Sequence, residues 1–162
     1  GRNVNVSFWK SKNNIVERLI NKVMVPGHKG KKHLIFSHQC SGKANNAYNQ
    51  VLDALNLIEE KTKKNPVEVL VLAIENAAPR EEITTIEYGG ARYPQSVDCS
   101  PQRRVDFALR LMVQGSFQKS FNKKIKFHEA LADEIMRAAG NDQKSAAVAK
   151  KMEVERQAES SR

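Results

Sequence analysis

Ile83-Thr84-Thr85-Ile86-Glu87-Tyr88-Gly89-Gly90-Ala91-Arg92-Tyr93-Pro94-Gln95-Ser96-Val97 is the stretch where this chain leaves helical periodicity. β-Branched and aromatic residues on both sides of a diglycine predict two strands joined by a tight turn, because glycine takes positive φ without steric cost. Pro94 cannot donate to a ladder, so residues 82–98 read as a two-stranded arm or sheet edge rather than the middle of a sheet. Directly after it comes Ser100-Pro101-Gln102-Arg103-Arg104-Val105-Asp106. There a serine cap and a first-position proline open a helix whose first turns carry paired arginines. A rigid arm beside a cationic helix suits the gripping of a folded polyanion.

Away from the hairpin a period of 3.6 returns in both directions. Downstream, Val105, Ala108, Leu109, Met112 and Val113 make an apolar face, and Gly115 is expected to end that helix. Two more helices are predicted, over Phe127–Ala139, stopped by Gly140, and over Ser145–Ser160, around Val148 and Met152. Upstream, Asn65-Pro66 opens a helix with Val67, Leu70, Val71 and Ile74 as its buried stripe and Pro79 as its close. Before that, Tyr48, Val51, Leu52, Leu55 and Ile58 mark a helix running into Lys61–Lys64. Ile15, Val16, Leu19, Ile20 and Val23 mark the first, stopped by Pro26-Gly27. Residues 1–12 lack periodicity and read as an arm, while residues 33–46 give no clear element. The expected fold class is mainly α: a bundle of about six helices with a protruding two-stranded β-hairpin between the third and fourth. It forms a single domain over residues 1–162.

The formal net charge is +9, and it is segregated. Residues 1–46 hold nine Lys/Arg against one acid, and residues 91–126 hold eight against two. Between them, residues 47–90 hold four against eight, and residues 127–162 hold six against seven. Lysine scattered for solubility would not divide this way, whereas a binding footprint does. No apolar run approaches the roughly 18 residues of a spanning helix, and no secretory leader pattern is present, so no membrane partner is expected. The chain starts at Gly1 rather than a methionine, which implies that N-terminal sequence precedes it. Cys40 and Cys99 are too few for a disulfide framework and read as reduced cytosolic thiols.

Catalytic and metal readings find little to stand on. Glu81-Glu82 and Asp133-Glu134 are adjacent in sequence and do not converge as an acid–base pair does. No Ser/His/Asp order, cofactor loop or HExxH pattern occurs. His28, His33, His38 and Cys40 crowd together but lack the paired cysteines of a structural zinc site, so no metal or cofactor is expected. The loop Lys29-Gly30-Lys31-Lys32 does not have P-loop spacing; it is read as a basic loop set against a phosphate backbone, with a merely solvated loop as the bland alternative. Arg103, Arg104 and Arg110 are the strongest local signal, since arginine's planar fork matches phosphate oxygens and stacks on bases. Arg103 and Arg110, seven apart, share one side of the helix. Intrahelical pairing with Asp106 could neutralise one arginine but hardly three. Trp9, Tyr88 and Tyr93 are candidates for stacking on bases, and Trp9 could equally anchor the arm. The residues reach nucleic acid without saying which kind; an architectural DNA-binding protein with a β-ribbon arm is the alternative, although no apolar dimer face is evident.

Several stretches together resemble the small-subunit ribosomal protein seven family. They are Ile15-Val16-Glu17-Arg18-Leu19-Ile20-Asn21, Gly30-Lys31-Lys32, Asn65-Pro66-Val67-Glu68-Val69-Leu70, Ala73-Ile74-Glu75-Asn76-Ala77-Ala78-Pro79-Arg80-Glu81-Glu82, Tyr88-Gly89-Gly90, Val97-Asp98-Cys99-Ser100-Pro101-Gln102-Arg103-Arg104-Val105-Asp106, Leu131-Ala132-Asp133-Glu134 and the closing Lys150–Arg162 helix. The likeness runs from about Phe8 onward. The longer Pro26–Asn46 segment, the Pro79-Arg80-Glu81-Glu82 phrase and the Ser160-Ser161-Arg162 ending are of archaeal type. Most of the N-terminal extension of such forms is lacking, and Ser37–Asn46 has no bacterial counterpart. The resemblance implies a non-enzymatic, cytoplasmic constituent of the small ribosomal subunit that binds the 3′ major domain of its rRNA and nucleates assembly of the head. It further implies a hairpin facing the exit-site tRNA and the mRNA exit path, head and platform proteins as neighbours, and a monomer outside the ribosome. By residue type and matching position it assigns rRNA contact to Lys10, Lys12, Arg18, Lys29, Lys31, Lys32, Arg103, Arg104, Arg110, Lys119, Lys123, Lys124, Lys150 and Lys151, with Arg80, Gly89, Gly90 and Arg92 in the hairpin and its base.

Overall fold

A computed structural model of the chain describes residues 5–27 and 40–162. A 3-10 turn over Trp9–Lys12 precedes α1 (Ile15–Val23), α2 (Ala44–Thr62) and α3 (Pro66–Ala77). Strands β1 (Glu81–Tyr88) and β2 (Ala91–Asp98) follow, then α4 (Pro101–Ser120), α5 (Phe127–Ala139) and α6 (Ala146–Glu159). Among the described residues the architecture is thus six helices with an antiparallel two-stranded hairpin between the third and the fourth, as expected.

The helix starts follow from the caps. Asn14 accepts from the Val16 N–H, Asn65 from Val67, Ser100 from Arg103 and Ser145 from Val148, each satisfying a donor that the first turn leaves unpaired. At α5 no cap side chain accepts; instead Glu129 reaches back to the Lys126 N–H at 3.2 Å. Pro66 and Pro101 occupy first-turn positions where a missing N–H costs nothing.

The core gathers Leu19, Val51, Ile58, Leu70, Leu109, Met112, Leu131, Ile135 and Val148, all essentially inaccessible. Each of the six helices contributes, and α5 is the hub, packing on α2, α3 and α4. Three expectations need correction. Gly115 does not end α4, which runs on to Ser120. A Cβ built at Gly115 would come within 2.7 Å of the Ala146 Cβ, so the glycine is there for close approach of α6 rather than for a cap. On α2 the buried row is Ala47, Val51, Ala54 and Ile58, while Tyr48 and Leu52 are exposed. The helix also begins at Ala44, inside the stretch that gave no clear element. On α3 Val67 and Val71 are exposed, and Val69, Leu70, Ala73, Ile74 and Ala77 face inward. In all three cases small residues carry helix contacts that a search for large apolar side chains passes over.

The hairpin pairs Glu81 with Asp98 at its base and Tyr88 with Ala91 at its tip. Gly89 and Gly90 have φ of 59° and 81°, the positive values that the tight turn demands of both central residues. Pro94 lies opposite Thr85 in a ribbon where each strand is an edge. Burial falls off along the arm: Glu82, Ile83, Ser96 and Val97 are half-buried, and everything from Thr84 to Gln95 is exposed.

Candidate nucleic-acid interface

The row Gln102, Asp106, Arg110 and Gln114 repeats every four residues along α4, so these side chains stack on one side of the helix. That side faces α1. Arg18 of α1 donates to Gln102 Oε1 and to Asp106 Oδ1, both at 3.1 Å, and Lys10 from the 3-10 turn pairs with Asp106 Oδ2. Burial by itself would raise the Asp106 pKa; hydrogen bonds from Lys10 and Arg18 outweigh it and hold the carboxyl below the usual carboxylate range. A groove of about 390 Å³ opens here, lined by Lys10, Arg18, Lys22, Asp106 and Arg110 with the amides of Asn13, Asn21 and Gln114. Four cations thus surround one carboxylate. Lys22 registers the excess: burial lowers its pKa, and Lys10, Arg110 and Arg18 lower it further against the opposing pull of Asp106. The two basic blocks of the sequence, far apart along the chain, meet in this groove.

A second group sits at the base of the hairpin. Arg103 makes a forked pair with Glu82, Nε and Nη2 each 2.8 Å from a carboxylate oxygen, which fixes α4 to β1 and raises the arginine pKa. Arg104 Nε donates to the Pro79 carbonyl at 3.2 Å, and the Cys99 N–H donates to the Arg80 carbonyl at 2.8 Å, closing the neck of the arm. Arg80 lies near Glu155 of α6 at 3.6 Å but remains largely exposed. The C-terminal end adds two ties, Arg162 to Glu81 at 2.5 Å and the Ser96 N–H to the Ser161 carbonyl at 3.4 Å. At the tip Arg92 is 3.5 Å from Glu87 and 75% exposed, beside the open glycines Gly89 and Gly90.

The remaining expected contact residues divide by what they face. Lys119 turns inward to Glu134, a fully buried carboxylate, at 2.5 Å. Glu134 also accepts from the Ser145 hydroxyl at 2.6 Å and from the Ala147 N–H at 3.3 Å. Asp133, its neighbour in sequence, is half-exposed and pairs with Arg137 at 3.0 Å, but it also comes within 3.8 Å of the Lys119 ammonium, so the two carboxylates share that lysine rather than diverging as expected. Lys151 reaches from α6 to the Asn76 carbonyl at 2.9 Å, and the Asn76 amide donates to the Ala138 and Ala139 carbonyls at the end of α5. Lys150 pairs with Glu153 along its own helix. Lys123 and Lys124 lie exposed in the turn between α4 and α5. Lys12 lies over the Trp9 ring at 5.1 Å, and Arg110 over Phe107 at 5.6 Å. Lys29, Lys31 and Lys32 fall outside the described residues, as do His28, His33 and His38.

Arg103 and Arg110, placed on one side of α4 by their spacing, therefore face different neighbours: the hairpin and the groove. Asp106, expected to pair within its own helix if at all, instead holds Lys10 and Arg18 from outside it. Lys22 was missed. Its signal was available, since it follows Arg18 by one turn on the polar side of α1. Cys40 and Cys99 are both free, and burial followed by the nearby Glu82 raises the Cys99 thiol. No grouping of three His, Cys, Asp or Glu able to hold a metal is found among the described residues, and no helix among them is long and apolar enough to cross a membrane.

The sequence matches the family model for ribosomal protein S7p/S5e over residues 2–162. It is 54% identical over 162 residues to the small ribosomal subunit protein uS7 of Nanoarchaeum equitans, an alignment covering 100% of this chain and 82% of that protein. With the uS7 of Archaeoglobus fulgidus the identity is 51% over 162 residues, covering 100% and 78% respectively. With that of Methanosphaera stadtmanae it is 49% over 160 residues, covering 99% and 80%. A family-model match over essentially the whole chain, with relatives 49–54% identical across it, places this protein in the ribosomal protein S7p/S5e family.

Proposed function

We propose that this chain acts as a single-domain structural constituent of the small ribosomal subunit in the cytoplasm, without catalytic activity. It binds the 3′ major domain of small-subunit rRNA as a monomer and nucleates assembly of the head. The observation that carries the reading is the convergence of both basic blocks on the α1–α4 groove, in a chain whose relatives are small-subunit ribosomal proteins. Lys22 and Arg110 in the groove, where Asp106 already holds Lys10 and Arg18, Lys12 beside it, and Lys123 and Lys124 in the α4–α5 turn are the cations best placed to meet RNA. Arg80, Arg103 and Arg104 form the shoulder of the arm, where their main work is to mount it. The arm itself, with Tyr88 and Tyr93 exposed near its tip, extends toward the exit-site tRNA and the mRNA path, among neighbouring head and platform proteins.

Affinity for the isolated rRNA domain, measured between 50 and 200 mM salt with duplex DNA as competitor, tests this. Neutralising six or more phosphates lowers affinity about a thousandfold over that range on the duplex calibration, with a shallower fall for irregular RNA. Structured rRNA should outcompete the duplex at every salt concentration. An affinity flat in salt sinks the polyanion reading, and preference for the duplex would favour an architectural DNA-binding protein instead.

A further inference from the structure

We infer that the α1–α4 groove is a seat for one phosphate group, in which Asp106 is the resident counter-anion of Lys10 and Arg18 while Lys22 and Arg110 are left for the ligand. The inference deepens the rRNA-binding reading and rests on it only for where the phosphate comes from. The geometry carries it. Asp106 gives one carboxylate oxygen to Arg18 and the other to Lys10, and among the described residues neither oxygen pairs with Lys22 or Arg110. Lys22 has no ion pair among the described residues, although it is half-buried and faces three other cations. Among the described residues Arg110 has the Phe107 ring beneath it and no ion pair, which leaves the edge of its guanidinium to a ligand. An excess of positive over negative charge in a partly desolvated groove, four cations against the one carboxylate of Asp106, is unfavourable until a further anion enters, and the groove volume of about 390 Å³ exceeds what a phosphate needs. Asn21 and Gln114 supply neutral amide donors at its edge.

This arrangement gives Asp106 an unusual sign. A residue that merely positions cations for RNA weakens binding when it is neutralised. A resident counter-anion competes with the ligand, so neutralising it strengthens binding. Asp106→Asn keeps the shape and one acceptor for Arg18, releases Lys10, and removes the only carboxylate among the described residues that line the groove.

The full chain is titrated with inorganic phosphate at low ionic strength, and backbone and side-chain NMR shifts are followed in the parent, Lys22→Gln, Arg110→Gln and Asp106→Asn proteins. Saturable shifts centred on Asn21, Lys22, Arg110 and Gln114 are expected, weakened about tenfold by either cation replacement and strengthened by Asp106→Asn. A second arm measures the salt dependence of rRNA-domain binding, in which Lys22→Gln should reduce the logarithmic slope by about one. Saturation with phosphate together with the reduced slope assigns the seat to an RNA backbone phosphate. Saturation with an unchanged slope supports the seat but assigns it to free phosphate. Scattered, non-saturating shifts, or weaker phosphate binding by a folded Asp106→Asn protein, overturn the inference. An rRNA affinity flat in salt removes the reading above while leaving the phosphate titration to stand or fall on its own.

Discussion

The helical body and the hairpin arm are held by different forces. In the body, fully buried Leu, Ile, Val and Met side chains from all six helices share one core. Burying each such side chain contributes about 1.5–3 kcal/mol. From Thr84 to Gln95 the arm buries nothing, and it is shaped by backbone pairing and two glycines. What joins the two is polar: the Arg103–Glu82 fork, Arg104 on the Pro79 carbonyl, and Arg162 on Glu81. Several of the expected RNA-contact cations, Arg103, Arg104, Lys119 and Lys151 among them, thus hold the molecule together, so a positive residue in this protein is not by its charge alone a contact to RNA. The body should respond to mutation in stability, the groove in both stability and binding, and the arm in neither until a larger assembly forms.

The largest loss should come from Glu134→Ala. The carboxylate is wholly buried, and its removal strands the Ser145 hydroxyl, the Ala147 N–H and the inward-turned Lys119 together. Removing one member of a buried pair costs about 3–5 kcal/mol, and Lys119, being partly exposed, keeps the expected value near the lower end. Chemical denaturation with circular dichroism measures it. A loss smaller than that of Arg103→Ala would break the contrast between body and arm. Arg103→Ala removes a half-exposed pair, for which about 0.2–1 kcal/mol is expected.

Asp106→Asn should have an intermediate effect, confined in pH. Its pKa is depressed in the folded chain, so its contribution to stability is complete above the unfolded value of about 3.9 and is lost as pH falls through the lower folded value. The variant should therefore be less stable than the parent near neutrality and should converge with it as the solution is acidified below about pH 4. A difference between the two that stays constant through that range would mean that packing, not the Lys10 and Arg18 pairs, is what the carboxylate supplies. A fall in stability with a rise in phosphate affinity from the same substitution would sharpen the assignment of the groove.

The elements were legible because their signals are local. Asn65 and Ser100 cap the helices they were expected to cap, and Gly89-Gly90 makes the turn. What could not be read was which helix comes close to which. Gly115 looks like a helix stop until Ala146 is seen against it, and Ala47, Ala54, Ala73 and Ala77 carry little apolar weight until a neighbouring helix covers them. The site shows the same division. Its charge was visible in the composition of residues 1–46 and 91–126, but partnership depends on tertiary approach. Asp106 lies 88 residues from Arg18, and Glu82 lies 21 from Arg103, so no spacing rule along one helix could have revealed either pair.

The smallest effect on stability should follow from shortening the arm. Deleting Glu87, Tyr88, Ala91 and Arg92 together leaves Gly89-Gly90 to close the turn between Ile86 and Tyr93, which are already opposite one another. Removing two residues from each strand preserves both the alternation of faces and the alternation of hydrogen-bonded pairs, so the remaining register from Glu81–Asp98 to Ile86–Tyr93 is kept. Every deleted residue is exposed, and their one ion pair, Glu87 with Arg92, is a surface pair worth at most about 1 kcal/mol. The midpoint of thermal unfolding should move by less than about 4 °C, and affinity for the isolated rRNA domain should stay near that of the parent. The defect should appear only in assembled subunits, as altered exit-site tRNA occupancy or loss of reading-frame fidelity. If the folded, shortened protein instead fails to bind the rRNA domain, the arm is itself an assembly element. The division between a body that binds rRNA and an arm that acts afterwards would then have to be abandoned.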